Sequence, residues 1–138
     1  MSAEESKLVF RRYLEEFHSQ RQLELADEIL GAELRESTVG LARMLRTAFP
    51  DFRIRVLDQV AEGDKVATVW EAEGTHEGEW QSPIGPIGGT GKHITWGGTT
   101  TVRVANGQMV DVIGSNWDHL GMLQQMGVIP NTAPRSGA

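Results

Sequence analysis

The chain has 138 residues, of which 13 are Lys or Arg and 19 are Asp or Glu, giving a formal net charge of −6. That length suits one domain with one core. The acidic balance, with no local block of basic residues against it, argues against a nucleic-acid or anionic-membrane surface. Cysteine is absent, which excludes disulfides, thiolate catalysis and thiolate metal sites. No apolar run approaches the ~20 residues a membrane span needs. The opening MSAEESKLVF lacks the cationic and apolar stretches of a signal peptide, so a cytoplasmic address is expected.

Helical periodicity comes first along the chain. Val9, Phe10, Tyr13, Leu14 and Phe17 recur at helical spacing with charges opposite. Leu23, Ala26, Asp27 and Leu30 indicate a short second helix. Thr38 is the expected N-cap of a third, with Leu41, Leu45 and Ala48 on its apolar face; Pro50 ends it. From Phe52 the period becomes two: Phe52, Ile54 and Val56 alternate with Arg53 and Arg55. After a turn at Glu62-Gly63-Asp64, Lys65 to Thr75 reads as a strand with Glu71 and Glu73 on one face and Thr68, Trp70 and Ala72 on the other. Ser82 to Gly91 is loop-like. His93 to Val104 is a further strand, and Asn106-Gly107 turns the chain into another, Gln108 to about Trp117. A short helix from His119 to Met126 and a frayed tail from Asn131 complete the chain. Helices followed by an antiparallel meander predict an α+β domain with helices on one sheet face.

Motif chemistry is sparse. His18, His76, His93 and His119 form no HxH or HExxH spacing, so no metal site is expected. Gly85 to Lys92 fails as a phosphate loop: Pro86 stands at the first glycine position, His93 follows Lys92, and a strand rather than a helix comes next. There is no GxSxG nucleophile elbow and no GxGxxG opening a helix, so neither serine nucleophile chemistry nor a Rossmann dinucleotide site is expected. What remains is a set of aromatics and one acid. By strand parity, Trp70 shares a face with Thr68 and Ala72, and Trp96 shares one with Ile94, Gly98 and Thr100. These indoles, with Tyr13, Trp80 and Trp117, either fill the core or wall an apolar pocket. Asp118 closes the last strand beside Trp117. It is either the N-cap of the following helix or a carboxyl whose apolar surroundings raise its pKa for proton transfer.

Four stretches carry a family resemblance. Trp117-Asp118-His119-Leu120-Gly121-Met122-Leu123-Gln124-Gln125-Met126-Gly127 resembles the W-D-x-L-G-L-L-x-Q-L-G ending of SnoaL-like polyketide cyclases. Arg11 to Phe17 resembles that family's first helix, and Ala48-Phe49-Pro50-Asp51 its A-F-P-D junction. Glu62-Gly63-Asp64-Lys65-Val66-Ala67 and Gly74-Thr75-His76-Glu77-Gly78-Glu79 follow its E-G-D-x-V-A and G-T-H-x-G-E patterns. The resemblance spans about residues 7–127 of a single domain, with 128–138 as the tail. It implies a cone-shaped, curved antiparallel sheet wrapped around N-terminal helices and enclosing a pocket, and a homodimer formed through the sheet.

The activity the resemblance implies is cofactor-free ring closure in a polyketide-like substrate, by aldol or epoxide-opening chemistry. The family's acid/base aspartate falls on Asp118 and its pocket tyrosine on Tyr13. Tyr13, Trp70, Trp96, Thr100, Asn116 and Trp117 are then the expected substrate-binding residues. The chain departs from the family where relatives carry a His- or Asp-containing loop after the second helix, since Gly31 to Val39 has neither. It departs again in the last strand, where Asp111-Val112-Ile113 replaces E-H-W and an extra residue implies a bulge near Gly114. Such a pocket is less polar than a typical relative's, which leaves a non-catalytic small-molecule binder as the alternative.

Overall fold

The computed structural model describes residues 2–131, so most of the expected tail lies outside the described residues. The first helix, α1 (Ala3–Arg12), opens with a reciprocal cap: Glu5 N–H donates to the Ser2 hydroxyl at 3.1 Å, and Ser2 N–H donates to the Glu5 carboxylate at 3.2 Å. Acidic Glu4 and Glu5 sit in its first turn and basic Arg11 and Arg12 in its last, complementing the helix dipole. At Tyr13 the helix widens into a π-helical turn, Tyr13–Ser19, rather than continuing as α. The second helix is a 3₁₀ turn at Leu23–Leu25 running into the short α2 (Ala26–Ile29).

The third helix, α3 (Ala32–Ala48), starts well before the expected cap. Thr38 lies in its interior and is buried, and Gly31 occupies the N-cap position. Ser37, Thr38, Val39 and Gly40 are weak helix formers. Packing of Leu34, Leu41 and Leu45 against the core outweighs that preference. The stretch from 31 to 39, expected as a loop, is therefore the first half of a helix.

The main sheet contains β1 (Arg53–Glu62), β2 (Lys65–Thr75), β5 (His93–Ala105) and β6 (Gln108–Trp117), all antiparallel, in spatial order β1-β2-β5-β6. The segment expected as a loop folds in part into a small hairpin, β3 (Trp80–Ser82) with β4 (Gly85–Ile87). The turn at Asn106-Gly107 takes positive φ at both residues, 52° and 77°, as a tight two-residue hairpin requires. The last helix, α4 (His119–Met126), has the predicted limits. Helices and core residues cover one sheet face. The other face carries the ion pairs Arg53–Glu73, Arg55–Glu71 and Arg103–Asp64, whose exposure limits what each adds to stability. No described helix is long and apolar enough to cross a membrane.

Strand β6 departs from regular alternation twice. Its pairing with β5 steps from Val104↔Met109 to Arg103↔Asp111, and from Val102↔Val112 to Thr101↔Gly114. Val110 and Ile113 are the extra residues, and the second bulge lies where the sequence placed it. Two added residues restore the overall parity. Between them, however, Val112 reaches the cavity lining while remaining 42% exposed, and Ile113 lies outside the lining.

Candidate functional site

A cavity of about 300 Å³ lies between the π-helical turn, α3 and the concave face of the sheet. Leu34, Ser37, Thr38 and Leu41 of α3 face Met109, Val112, Ser115 and Trp117 of β6 across it. Among the described residues no carboxylate, ammonium or guanidinium lines it. Tyr13 and His18 are its only titratable side chains.

The sheet wall is a hydrogen-bonded chain. Trp70 Nε1–H donates to Thr100 Oγ1 at 3.0 Å, Thr100 and Ser115 share a hydroxyl hydrogen bond at 2.9 Å, and Trp117 Nε1–H donates to Ser115 Oγ at 3.2 Å. Thr100 and Ser115 are direct cross-strand partners. Two indole donors and one shared hydroxyl proton leave a single hydroxyl hydrogen for a ligand, whichever way the shared bond runs. Trp117 is fixed by its neighbours. Trp96 and Trp80 stack against it with centroids 6.1 and 6.0 Å away, and Trp70 meets it edge-on at 5.4 Å. Glycine at 98 is a steric requirement of this wall, because a Cβ there would lie 2.3 Å from Trp70 Cζ2 and 2.6 Å from the Asn116 carbonyl oxygen.

The helix wall is built differently. In an α-helix a residue five positions on lies about 140° around the axis, so His18 would point away from Tyr13's face. The π-helical turn brings position i+5 back over position i. Tyr13, Phe17 and His18 therefore all face the interior, with the His18 ring edge-on to Tyr13 at 4.7 Å. Arg46 of α3 holds the end of this turn. Its guanidinium donates to the backbone carbonyls of His18, Ser19 (3.1 Å) and Phe52 (2.6 Å) and lies over the Phe52 ring. Burial, reinforced by the nearby Arg46 charge, lowers the His18 pKa to about 3, so the imidazole is neutral. Burial pushes the Tyr13 hydroxyl well above its ordinary range.

Five of the expected binding residues, Tyr13, Trp70, Trp96, Thr100 and Trp117, line the cavity. Asn116 does not. Strand alternation turns it to the outer face, where it pairs with Thr99 and is exposed. Asp118 is also exposed and outside the lining. The chain turns outward there to begin α4, and its carboxylate accepts the Gly121 N–H at 2.9 Å as an N-cap. The apolar enclosure expected around that carboxyl is therefore absent. His18 and Ser115 are cavity groups the sequence did not single out. Regular α-helical spacing points His18 outward, whereas Ser115 follows from strand pairing once the bulge is counted. Among the described residues no three His, Asp or Glu side chains converge to hold a metal ion.

A curved antiparallel sheet closed by helices around an apolar cavity defines a cone-fold protein with a small-molecule pocket. The profile of SnoaL-like polyketide cyclases matches residues 8–126, and the chain belongs to that family. Among solved structures, it is similar to AclR from Streptomyces galilaeus, described as a candidate hydroxylase. The TM-score is 0.79 at 21% identity, covering 94% of this chain and 89% of that one. TsrD from Streptomyces laurentii superposes with a TM-score of 0.81 at 18% identity, covering 94% and 99%. IdmH from Streptomyces antibioticus, described as a candidate polyketide cyclase, is 27% identical with a TM-score of 0.71, covering 90% and 99%. No curated protein matches the sequence significantly.

Proposed function

We propose that the protein is a cofactor-free cyclase of secondary metabolism that folds a polyketide-like substrate for ring closure. The observation that carries this is the cavity itself: apolar, free of charged groups and walled by Trp70, Trp96, Trp117 and Tyr13. Flat aromatic walls suit a conjugated chain, and holding it folded supplies near-attack geometry. Both ring closures considered are isomerisations. In the aldol case a carbon–carbon bond forms while one proton leaves carbon and one reaches the new alkoxide. In the epoxide case a substrate hydroxyl displaces the epoxide carbon–oxygen bond and its proton passes to the released oxygen. Asp118, which follows the cavity residue Trp117 in the chain and lies outside the lining, is the proposed group that exchanges this proton.

The test is deletion of the gene in its source organism, complemented with the native gene or with Asp118→Asn. Asparagine caps a helix as well as aspartate does, so this variant removes the acid and keeps the fold. The expected result is an uncyclised or shunt product that the native gene clears and the variant does not. Equal clearance by both would leave Asp118 as a cap alone. A second reading, a non-catalytic binder, is favoured by the absence of any ionised side chain from the lining. It gains if the gene leaves the product profile unchanged while a pathway intermediate quenches tryptophan fluorescence.

A homodimer through the sheet is proposed as well. Val69, Thr99, Thr101, Gly114 and Ile113 form an uncharged strip on its outer face, beside the Arg–Glu pairs. Light scattering on the eluted protein gives twice the chain mass if this holds and the single mass if it does not.

A further inference from the structure

We propose that the Tyr13 hydroxyl and the His18 imidazole form a charge-neutral anchor for a carbonyl or hydroxyl oxygen of the ligand. The substrate is then an uncharged, largely apolar molecule bearing oxygen functions, and carboxylates, phosphates and amines are rejected. This rests on the reading that the cavity takes the substrate, but not on ring closure.

Both side chains are almost wholly buried, at 7% and 5% exposure, and both line the cavity. Neither makes a hydrogen bond to another described side chain or backbone group; their neighbours are each other and the rings of Phe10, Phe17 and Phe52. Buried polar groups left in that condition cost about 1–3 kcal/mol each unless a ligand or water satisfies them. A neutral imidazole offers one donor and one acceptor, and a phenol offers a donor with acceptor capacity. The pair therefore matches either a carbonyl, which needs donors, or a hydroxyl, which needs one of each.

Charge is excluded on both sides. The cation nearest this corner, Arg46, is outside the lining and its guanidinium is turned to three backbone carbonyls, so it makes no direct ion pair with an anion in the cavity. No carboxylate lines the cavity to receive an amine. Burying an unpaired charge there costs more than any hydrogen bond returns. The spare hydroxyl hydrogen of the Thr100–Ser115 pair, on the sheet wall, supplies a second station for oxygen.

The test compares three naphthalenes of similar size at pH 7 by NMR titration: 2-acetylnaphthalene, 2-ethylnaphthalene and 2-naphthoate. The ketone is expected to bind about tenfold more tightly than either of the others. The His18 ring nitrogens should shift with the ketone and stay unmoved with the ethyl compound. His18→Phe and Tyr13→Phe should each reduce the ketone's advantage while leaving 2-ethylnaphthalene within about twofold. Should either variant misfold, the nitrogen shifts of the native protein decide alone. Naphthoate binding as tightly as the ketone, unmoved His18 nitrogens, or no binding of any probe overturns the proposal. Ketone selectivity together with an unchanged product profile in the deletion strain leaves the ligand class standing and removes the cyclase.

Discussion

The two walls of the cavity solve the problem of buried polar groups in opposite ways. On the sheet wall, regular strand geometry sets Thr100 opposite Ser115, and the indole donors of Trp70 and Trp117, two of the three that line it, end on those hydroxyls. That network is closed except for one hydroxyl hydrogen, while Trp96 Nε1–H, buried on the same wall, has no partner among the described residues. On the helix wall an irregularity brings His18 beside Tyr13, and both face the interior without a hydrogen-bond partner among the described residues. A wall that satisfies itself can be sequence-tolerant toward its ligand. A wall that does not selects the ligand that completes it.

The largest effect should come from breaking the helix wall at its support. Arg46→Met strands three carbonyls and releases the π-helical turn, and about 3–4 kcal/mol of stability should be lost in urea denaturation. A loss below about 1 kcal/mol would mean the turn holds without its clamp. On the sheet wall, Gly98→Ala drives a methyl into Trp70 and separates its indole from Thr100. Overpacking plus a stranded donor should cost about 3 kcal/mol. Red-shifted tryptophan emission would accompany it, and an unshifted spectrum would count against the tight packing.

Acid sharpens the comparison, because only the helix wall titrates. His18 has its folded pKa lowered to about 3 from 6.5, so below 6.5 the unfolded chain takes up a proton that the native state refuses. Stability therefore rises with pH across this window and falls on acidification, by about 1.4 kcal/mol per unit, or about 2 kcal/mol between pH 6.5 and pH 5. His76, also buried with a lowered pKa, contributes in the same direction. The difference between native protein and His18→Phe isolates the His18 share, and identical acid slopes would contradict it. Asp118, outside both walls, should give the smallest change. Asp118→Ala should cost about 1 kcal/mol through loss of the cap, and Asp118→Asn only a few tenths. Equal losses in the two would show that charge, not capping, is what the fold uses.

What the sequence made legible follows the same division. Strand parity placed Trp70, Trp96 and Thr100 on one inward face, and the register agrees residue by residue. The limits of α4 and the Asn106-Gly107 turn were equally readable, because each rests on a local preference. Sequence motifs also carried the family. The π-helical turn was not legible, since nothing in Tyr13 to Ser19 distinguishes it from an α-helix until Arg46 arrives from 27 residues away to engage the Ser19 carbonyl. The start of α3 was misplaced for a related reason: local propensity around Thr38 opposes the helix, and only contacts with the core reverse it. Asn116 was placed in the pocket beside Trp117, whereas strand alternation sends it outward; Asp118, assigned from the family motif, is turned out by the start of α4.

The bulges of β6 reach beyond the pocket. β6 is an edge strand of ten residues with Val110, Val112 and Ile113 exposed along it. A straight strand of that length and character is a template for pairing with other chains, and aggregation starts from such edges. Each extra residue interrupts the open row of backbone donors and acceptors and bends the strand away from a would-be partner. The irregularity that brings Val112 to the cavity thus also blunts an edge otherwise open to strand pairing. Changes that straighten β6 should appear first as loss of soluble protein, before any change in what the cavity holds.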